Sequence, residues 1–370
     1  MNHITQKGVP PEMGAYIPNR TKWIARESGL ITPMTKTEVR ADYYLQNYDP
    51  IARYVCNPNG GHKDFVDADA VKPYKCRFCD KSEPEVKFTD EAHAISNFIG
   101  NRSLFLKSEC ESCNKKYGKY YEDQFAKYLG PGRTVTQTKG KNGIPSYKTA
   151  DGKFRMDVTD KGCVMQEVSG NGRVDFVGQE LQLHLVKDTY EPIKVFKALV
   201  FMALSIMPAK EMLAFDEARD WLKDIDDSKY NMKDYTSRVI ERFIAGAKPL
   251  PISATVGRRK PGKNVPYSFF ALEFDNYSFQ IIIPCPREDA KLSGQIVVVP
   301  FIPSIADIDV ALKTRKQSYV IKDWSSKEPV KGEVFEMVLQ YDYREEITGV
   351  YENVTDMAKK EGVKPLKPKM

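Results

Sequence analysis

An α+β fold is what the sequence predicts: a small cysteine-stapled unit followed by a larger α+β domain that runs strands, helices, strands. Three observations predict it. Four of the seven cysteines form two Cys-x-x-Cys pairs, Cys76/Cys79 and Cys110/Cys113. From Tyr117 onward, large apolar side chains recur every fourth position, the spacing of a helix face. Beyond residue 150, alternating apolar and polar runs flank a central block with helical periodicity. At 370 residues and 41% hydrophobic content, the chain can bury a full core and is expected to divide into two or three units.

Taken in order, residues 1–72 are rich in Pro, Gly, Asn and isolated aromatics, with a turn cluster at Asn57-Pro58-Asn59-Gly60-Gly61, and predict an irregular N-terminal extension. Residues 73–130 hold the paired cysteines. They end in a helix marked by Tyr117, Tyr121, Phe125 and Leu129, which Gly130-Pro131-Gly132 stops. Residues 131–150 are polar, Gly-rich and basic, with Arg133, Lys139, Lys141 and Lys148, and predict a solvated linker. Residues 151–356 form the larger domain. Strands are expected at 153–159, 163–168, 173–177 and 181–187, with Gly170-Asn171-Gly172 as a hairpin turn. Three helices follow: one striped by Ile193, Phe196, Val200, Ala203 and Met207, then weaker patterns at 209–223 and 232–246. Strands return at 267–274, 277–284, 295–302 and 334–341, with Asp275-Asn276 as a tight link. The Lys-rich tail, 357–370, is expected to be disordered. No internal repeat of fixed period is present.

Composition narrows the function classes. No apolar run approaches the roughly 20 residues of a membrane span; the nearest, Val195 to Met207, is short and interrupted by Lys197. The first residues lack the charged-then-apolar pattern of a secretory signal, so a cytoplasmic location is the expectation. With 56 basic and 50 acidic residues, the net charge of +6 permits nucleic-acid binding without demanding it. Cys56, Cys163 and Cys285 stand alone, and an odd cysteine count with paired spacing argues for metal rather than disulfides.

Two Cys-x-x-Cys knuckles with thirty residues between them match the ligand set of a tetrahedral structural zinc, because each knuckle bends the backbone so that both thiolates reach one ion. A four-thiolate site is coordinatively closed. It staples a fold and hydrolyses nothing. Between and after the knuckles stand Phe88-Thr-Asp-Glu-Ala-His93-Ala-Ile-Ser-Asn-Phe-Ile-Gly100-Asn101 and Cys110-Glu-Ser-Cys113-Asn114 at the mouth of the amphipathic helix. Over roughly residues 74–130 this resembles the HNH endonuclease family, in the branch that carries paired Cys-x-x-Cys knuckles. The resemblance implies a ββα-metal module, a β-hairpin followed by a helix, gripping one catalytic Mg²⁺ or Mn²⁺ beside the zinc. It implies His93 as general base, Asn101 as the middle Asn that steadies the loop, and Asn114 as a ligand of the catalytic ion. A base of near-neutral pKa suits the deprotonation of water, and an amide oxygen suits a hard cation.

Two positions depart from the family pattern. Ala92 stands where many relatives carry an acidic or histidine ligand, which leaves Glu91 and Glu122 as candidates for the second ligand; Ser96 replaces the usual Pro and is expected to loosen the loop. The implied function is hydrolysis of phosphodiester bonds in DNA, double-stranded in the family's usual case, in a setting such as bacterial restriction or antiviral defence. The competing reading is a non-catalytic zinc ribbon that binds nucleic acid or protein. A third keeps the nuclease and makes the C-terminal domain a sensor. Tyr117, Tyr121 and Phe125 read as packing residues, and His3, His62 and His184 as ordinary surface or core residues. Lys115, Lys116 and Lys119 read equally as a solvated face or as phosphate contacts. The 132–148 loop, Arg258-Arg259-Lys260 with Lys263, and Lys313-Thr314-Arg315-Lys316 either extend a DNA track or are plain surface.

Overall fold

The computed structural model describes residues 36–57, 61–159, 162–168, 172–227, 238–247, 250–292, 297, 299–347 and 349–362. Helix α1 (Thr37–Asn47) leads into strand β1 (Tyr48–Cys56), so this part of the N-terminal extension is regular structure rather than the irregular segment expected. Residues 1–35 lie outside the described residues. Pro50 hid the strand, because proline cannot donate to a ladder. The fold accommodates it at a sheet edge, where the register shifts between Pro50 and Ala52.

The cysteine unit is built from β2 (Asp64–Phe65), β3 (Ala92–His93) and β4 (Leu104–Leu106), with β4 parallel to β2 and antiparallel to β3. Helices α2 (Glu111–Tyr117) and α3 (Asp123–Leu129) then run on through a π-turn at Gly118–Glu122. That turn explains the strict four-residue spacing read from the sequence. Residues four apart drift by about 40° per step around an ideal α-helix, and a wider turn takes up the drift. Tyr117, Tyr121 and Phe125 accordingly share one buried face, with the two tyrosine rings stacked at 5.5 Å.

Residues 131–150 are not a solvated linker. Helix α4 (Gly132–Val135) packs here, and Thr134, Thr136 and Thr138 are buried. The polarity that suggested solvent is satisfied internally: the Thr134 hydroxyl donates to the Pro145 carbonyl and that of Thr136 to Gly132, each at 2.8 Å.

Strands β5 (Tyr147–Lys148), β6 (Phe154–Thr159) and β7 (Gly162–Glu167) form one sheet, while β8 (Val174–Val177) and β9 (Glu180–Val186) pair in another. Among the described residues β7 and β8 belong to different sheets and do not pair, and Gly170 and Asn171 of the expected hairpin turn lie outside the described residues. Helix α5 (Pro192–Ser205) is buried on nearly every side. The expected helix at 209–223 is a 3-10 segment, Ala209–Phe215, followed by α6 (Asp216–Lys223).

The expected helix at 232–246 is overturned. Its described part is strand β10 (Arg238–Ile244), held between two neighbours in the central sheet, where β-branched Val239 and Ile240 suit a pleated buried surface; 232–237 lie outside the described residues. Strands β11 (Leu250–Arg259), β12 (Ser268–Asp275) and β13 (Tyr277–Ile282) follow. Of the strand expected at 295–302, the described residues carry no strand, although Val297 and Val299 are buried against the same cluster as Ile282. Short helices α7 (Ile305–Ile308) and α8 (Val310–Lys313) precede β14 (Gln317–Asp323), β15 (Val334–Gln340) and α9 (Val354–Lys360). Asn353 caps α9, so part of the expected tail is ordered, and 363–370 lie outside the described residues. The main sheet is antiparallel, in the order β1-β11-β12-β13-β10-β14; β15 joins β9 and β8.

The largest core cluster spans the cysteine unit and the main sheet, and β6, β9 and β15 pack in a cluster of their own. The largest cluster joins Cys76, Phe78 and Tyr117 of the cysteine unit to α5, to Trp221 and to the inner face of the main sheet. Among the described residues no helix is long and apolar enough to cross a membrane.

Candidate metal centre and histidine site

The first knuckle turns because Asp80 takes a left-handed conformation (φ 63°), letting its amide donate to the Cys76 carbonyl while the Cys76 amide donates to Lys81. The second knuckle is the start of α2, with Cys110 as its N-cap and Cys113 in its first turn. These two turns bring the sulfurs of Cys76, Cys79, Cys110 and Cys113 within 4.8 Å of one another. The Cys79 and Cys110 sulfurs are 3.7 Å apart. That is far beyond a disulfide bond of about 2.05 Å and close to the ~3.8 Å edge of a tetrahedron with ~2.3 Å zinc–sulfur bonds. The donor chemistry agrees. A hydrogen bond from Cys113, helped by backbone amides, lowers Cys76 to about 5, whereas burial and the neighbouring sulfur charges push Cys79 up to about 11. Mutual repulsion of this kind is what a dication offsets, so the four residues fit a structural zinc.

His93 closes β3 opposite Phe105, whose ring lies 4.6 Å from the imidazole. Its Nε2 is 3.0 Å from Asn97 Nδ2. Arg102 fixes which way that amide faces. A guanidinium only donates, and Arg102 Nη1 binds Asn97 Oδ1, so Nδ2 must be the atom that donates to His93. Nε2 is therefore an acceptor, its lone pair engaged by Asn97, and the proton of the neutral ring is on Nδ1, which is buried without a partner among the described residues. Burial first, then the charges of Arg102, Lys141 and Lys63, opposed by Glu91, lower the His93 pKa to about 4. The near-neutral value expected from the residue type is not met in the free chain, because burial and then the charges of three cations oppose protonation.

Asn101 is buried at the loop's centre. Its Nδ2 donates to the carbonyls of Ile95 (2.6 Å) and Leu104 (2.8 Å), and its Oδ1 accepts from the amides of Ser103 (3.1 Å) and Leu104 (2.9 Å). Ser96 does not loosen this loop. Its φ of −55° is within proline's own range, and its buried hydroxyl donates to Glu122. Glu122 is thereby engaged, while Glu91 stays exposed and pairs with Lys63. Ala92 points into the core. Asn114 is half-buried on α2 and makes no side-chain hydrogen bond with the described residues, so no hydrogen bond ties it to His93. The chain on either side of it contacts the segment that precedes β3: Lys115 pairs with Asp90 at 3.6 Å, and the Glu111 amide donates to the Lys87 carbonyl.

Sequence reasoning missed Asn97 and Arg102, for which no motif spacing speaks. It also missed Glu109, a fully buried acid whose two oxygens have no hydrogen-bond partner among the described residues and whose pKa is raised by burial and by the charges of Cys76 and Glu122. Three arginines of the basic clusters of the larger domain have partners within it: Arg258 with Glu211 (2.8 Å), Arg259 with Asp289 (2.9 Å), Arg315 with the Ala247 carbonyl (2.5 Å). Lys116 donates to the Lys223 carbonyl, and Lys119 lies over Tyr120. His184 stands between Asp175 and Glu336, and exposed His62 beside Asp64; His3 lies outside the described residues.

Residues 76–129 match a family model described as HNH endonuclease. No curated protein and no solved structure matches the chain.

Proposed function

We propose that the chain is a divalent-metal-dependent endonuclease that hydrolyses phosphodiester bonds in double-stranded DNA, with residues 76–129, the segment matched to HNH endonucleases, as its cutting module. The observation that carries this reading is the neutral ring of His93, whose tautomer Arg102 and Asn97 fix and whose Nε2 lone pair accepts from Asn97 in the free chain. Once the Asn97 amide gives way to water, a neutral imidazole in that tautomer accepts a proton from it as the water attacks phosphorus. A bound Mg²⁺ or Mn²⁺ would offset charge on the phosphate and leaving oxygen. Asn114 would hold that ion through its amide oxygen. Glu91 is the better candidate for a second ligand, since Glu122 is spent on Ser96. Asn101 acts by holding the loop. Cys76, Cys79, Cys110 and Cys113 carry the zinc and take no part in the chemistry.

The larger domain, residues 151–356, would recognise the target or regulate cutting, in a cytoplasmic setting such as restriction or anti-phage defence. A second reading, a non-catalytic zinc ribbon that binds nucleic acid or protein, is favoured by one feature, the buried Ala92 where an ionic ligand is common. Plasmid DNA separates the two. Supercoiled plasmid should be cut in Mg²⁺ or Mn²⁺ and left intact in chelator, and excess Mn²⁺ should partly restore cutting to Asn114→Ala. A zinc-loaded, folded protein that leaves the plasmid intact in every divalent ion would support the ribbon.

A further inference from the structure

A turn beyond the matched segment abuts the histidine loop. Gly140 and Gly143 exchange backbone hydrogen bonds at 2.8 and 3.1 Å, closing a two-residue hairpin with Lys141 and Asn142 at its tip. The base of this hairpin is clamped. Arg102 donates to the Gly140 carbonyl from one side of its guanidinium while the other side holds Asn97, the partner of His93. Arg133 donates to the Phe98 carbonyl at 2.7 Å, and a Cβ on Gly140 would lie 3.0 Å from the Arg133 guanidinium and 3.7 Å from the Phe98 Cα. Gly140 is buried; Lys141 and Asn142 are exposed.

Three cations bear on His93, and they differ in commitment. Lys63 is paired with Glu91, and Arg102 is spent on Asn97 and on backbone carbonyls. Lys141 has no acidic or carbonyl partner among the described residues. A cation at the tip of a turn clamped to the histidine loop is what a polyanionic strand requires. The counterions such a cation displaces from the strand favour binding, and the fixed turn limits the entropy lost.

We propose that Lys141 binds a backbone phosphate flanking the scissile bond, so that the 140–143 hairpin completes the nucleic-acid site from outside the HNH segment. The substrate class rests on the nuclease reading above. The geometry adds where the strand is gripped.

The test is binding of the full zinc-loaded chain to a short fluorescent DNA duplex in Ca²⁺, read by anisotropy across a salt series, with cleavage in Mg²⁺ measured in parallel. Lys141→Ala should weaken binding about 3- to 10-fold and flatten the plot of log affinity against log salt by about 1, the share of one phosphate contact. Lys141→Arg should keep the slope, Asn142→Ala should change neither quantity, and the unfolding midpoint of all three should stay at the wild-type value. Wild-type affinity, slope and cleavage in Lys141→Ala would overturn the proposal and leave the nuclease reading standing. A wild-type chain that neither binds nor cuts DNA would overturn both.

Discussion

His93 shows how strongly neighbours decide what a residue type can do. Its ring is half-buried, the charges of Arg102, Lys141 and Lys63 bear on it, and Asn97 donates to Nε2, so protonation is opposed by desolvation, by charge and by an occupied lone pair. In the folded chain the ring should titrate near 4 rather than at its ordinary 6.5. The sign follows from proton binding. Between these two values the unfolded chain holds the proton and the folded chain does not, so stability is fully present above pH 6.5 and falls as pH drops towards 4. The titration of the His93 ring, followed by NMR in the free protein, checks this; a midpoint at or above 6.5 would contradict it. Strands of phosphate would offset the three cations and raise the value when DNA is bound. At this scale the zinc cysteines were legible because four residues of local chain decide each knuckle. Asn97 and Arg102 were not, because their roles come from a loop that folds back on itself.

Helix α5 shows why the cysteine unit is not an independent element. Phe78 and Tyr117 meet Phe201 at 5.0 and 4.9 Å, and Arg77, inside the first knuckle, donates to the carbonyls of Leu204 (3.1 Å), Ser205 (2.8 Å) and Met207 (3.1 Å). The knuckle therefore satisfies carbonyls that the end of α5 leaves open. Periodicity found the helix from Tyr117, which buries one face, and alternation found β9, which buries every second residue; α5, β6 and β13 were also placed although they are buried on nearly every side. Periodicity misread β10, where Arg242 looks like the polar side of a helix. Arg242 is instead fully buried, held by Glu273 at 2.6 Å and Asp307 at 3.1 Å. Folding free energy in zinc-stapled units comes largely from the metal. Cys110→Ser should thus lower protection from hydrogen exchange in α5 as well as in residues 73–130, since they share one core. Loss confined to 73–130, with α5 still protected, would show that the two are separable.

Across the whole molecule, the α+β class and the strands–helices–strands order of the larger domain were readable, while the joints between its parts were not. The strand β1 comes from a segment whose Pro50 and turn residues speak against structure, yet it pairs along β11 from Tyr48 to Cys56. The basic stretch after Gly130 looked solvated, yet its threonines are buried and its hairpin reaches the His93 loop. Both errors have one cause: polar and proline-containing segments read as loops until long-range partners satisfy them. The result is a chain in which an HNH segment is set into a larger body that shares its core and adjoins its histidine. The central claim is that this histidine performs the chemical step. The most direct measurement is plasmid cleavage by His93→Ala in Mg²⁺ or Mn²⁺, with DNA affinity and the unfolding midpoint taken on the same preparation. A general base contributes on the order of 10²- to 10⁴-fold, so cutting should fall by that factor while binding and folding stay near wild type, and added metal should not restore it. A His93→Ala chain that folds, binds and cuts at the native rate would contradict the account.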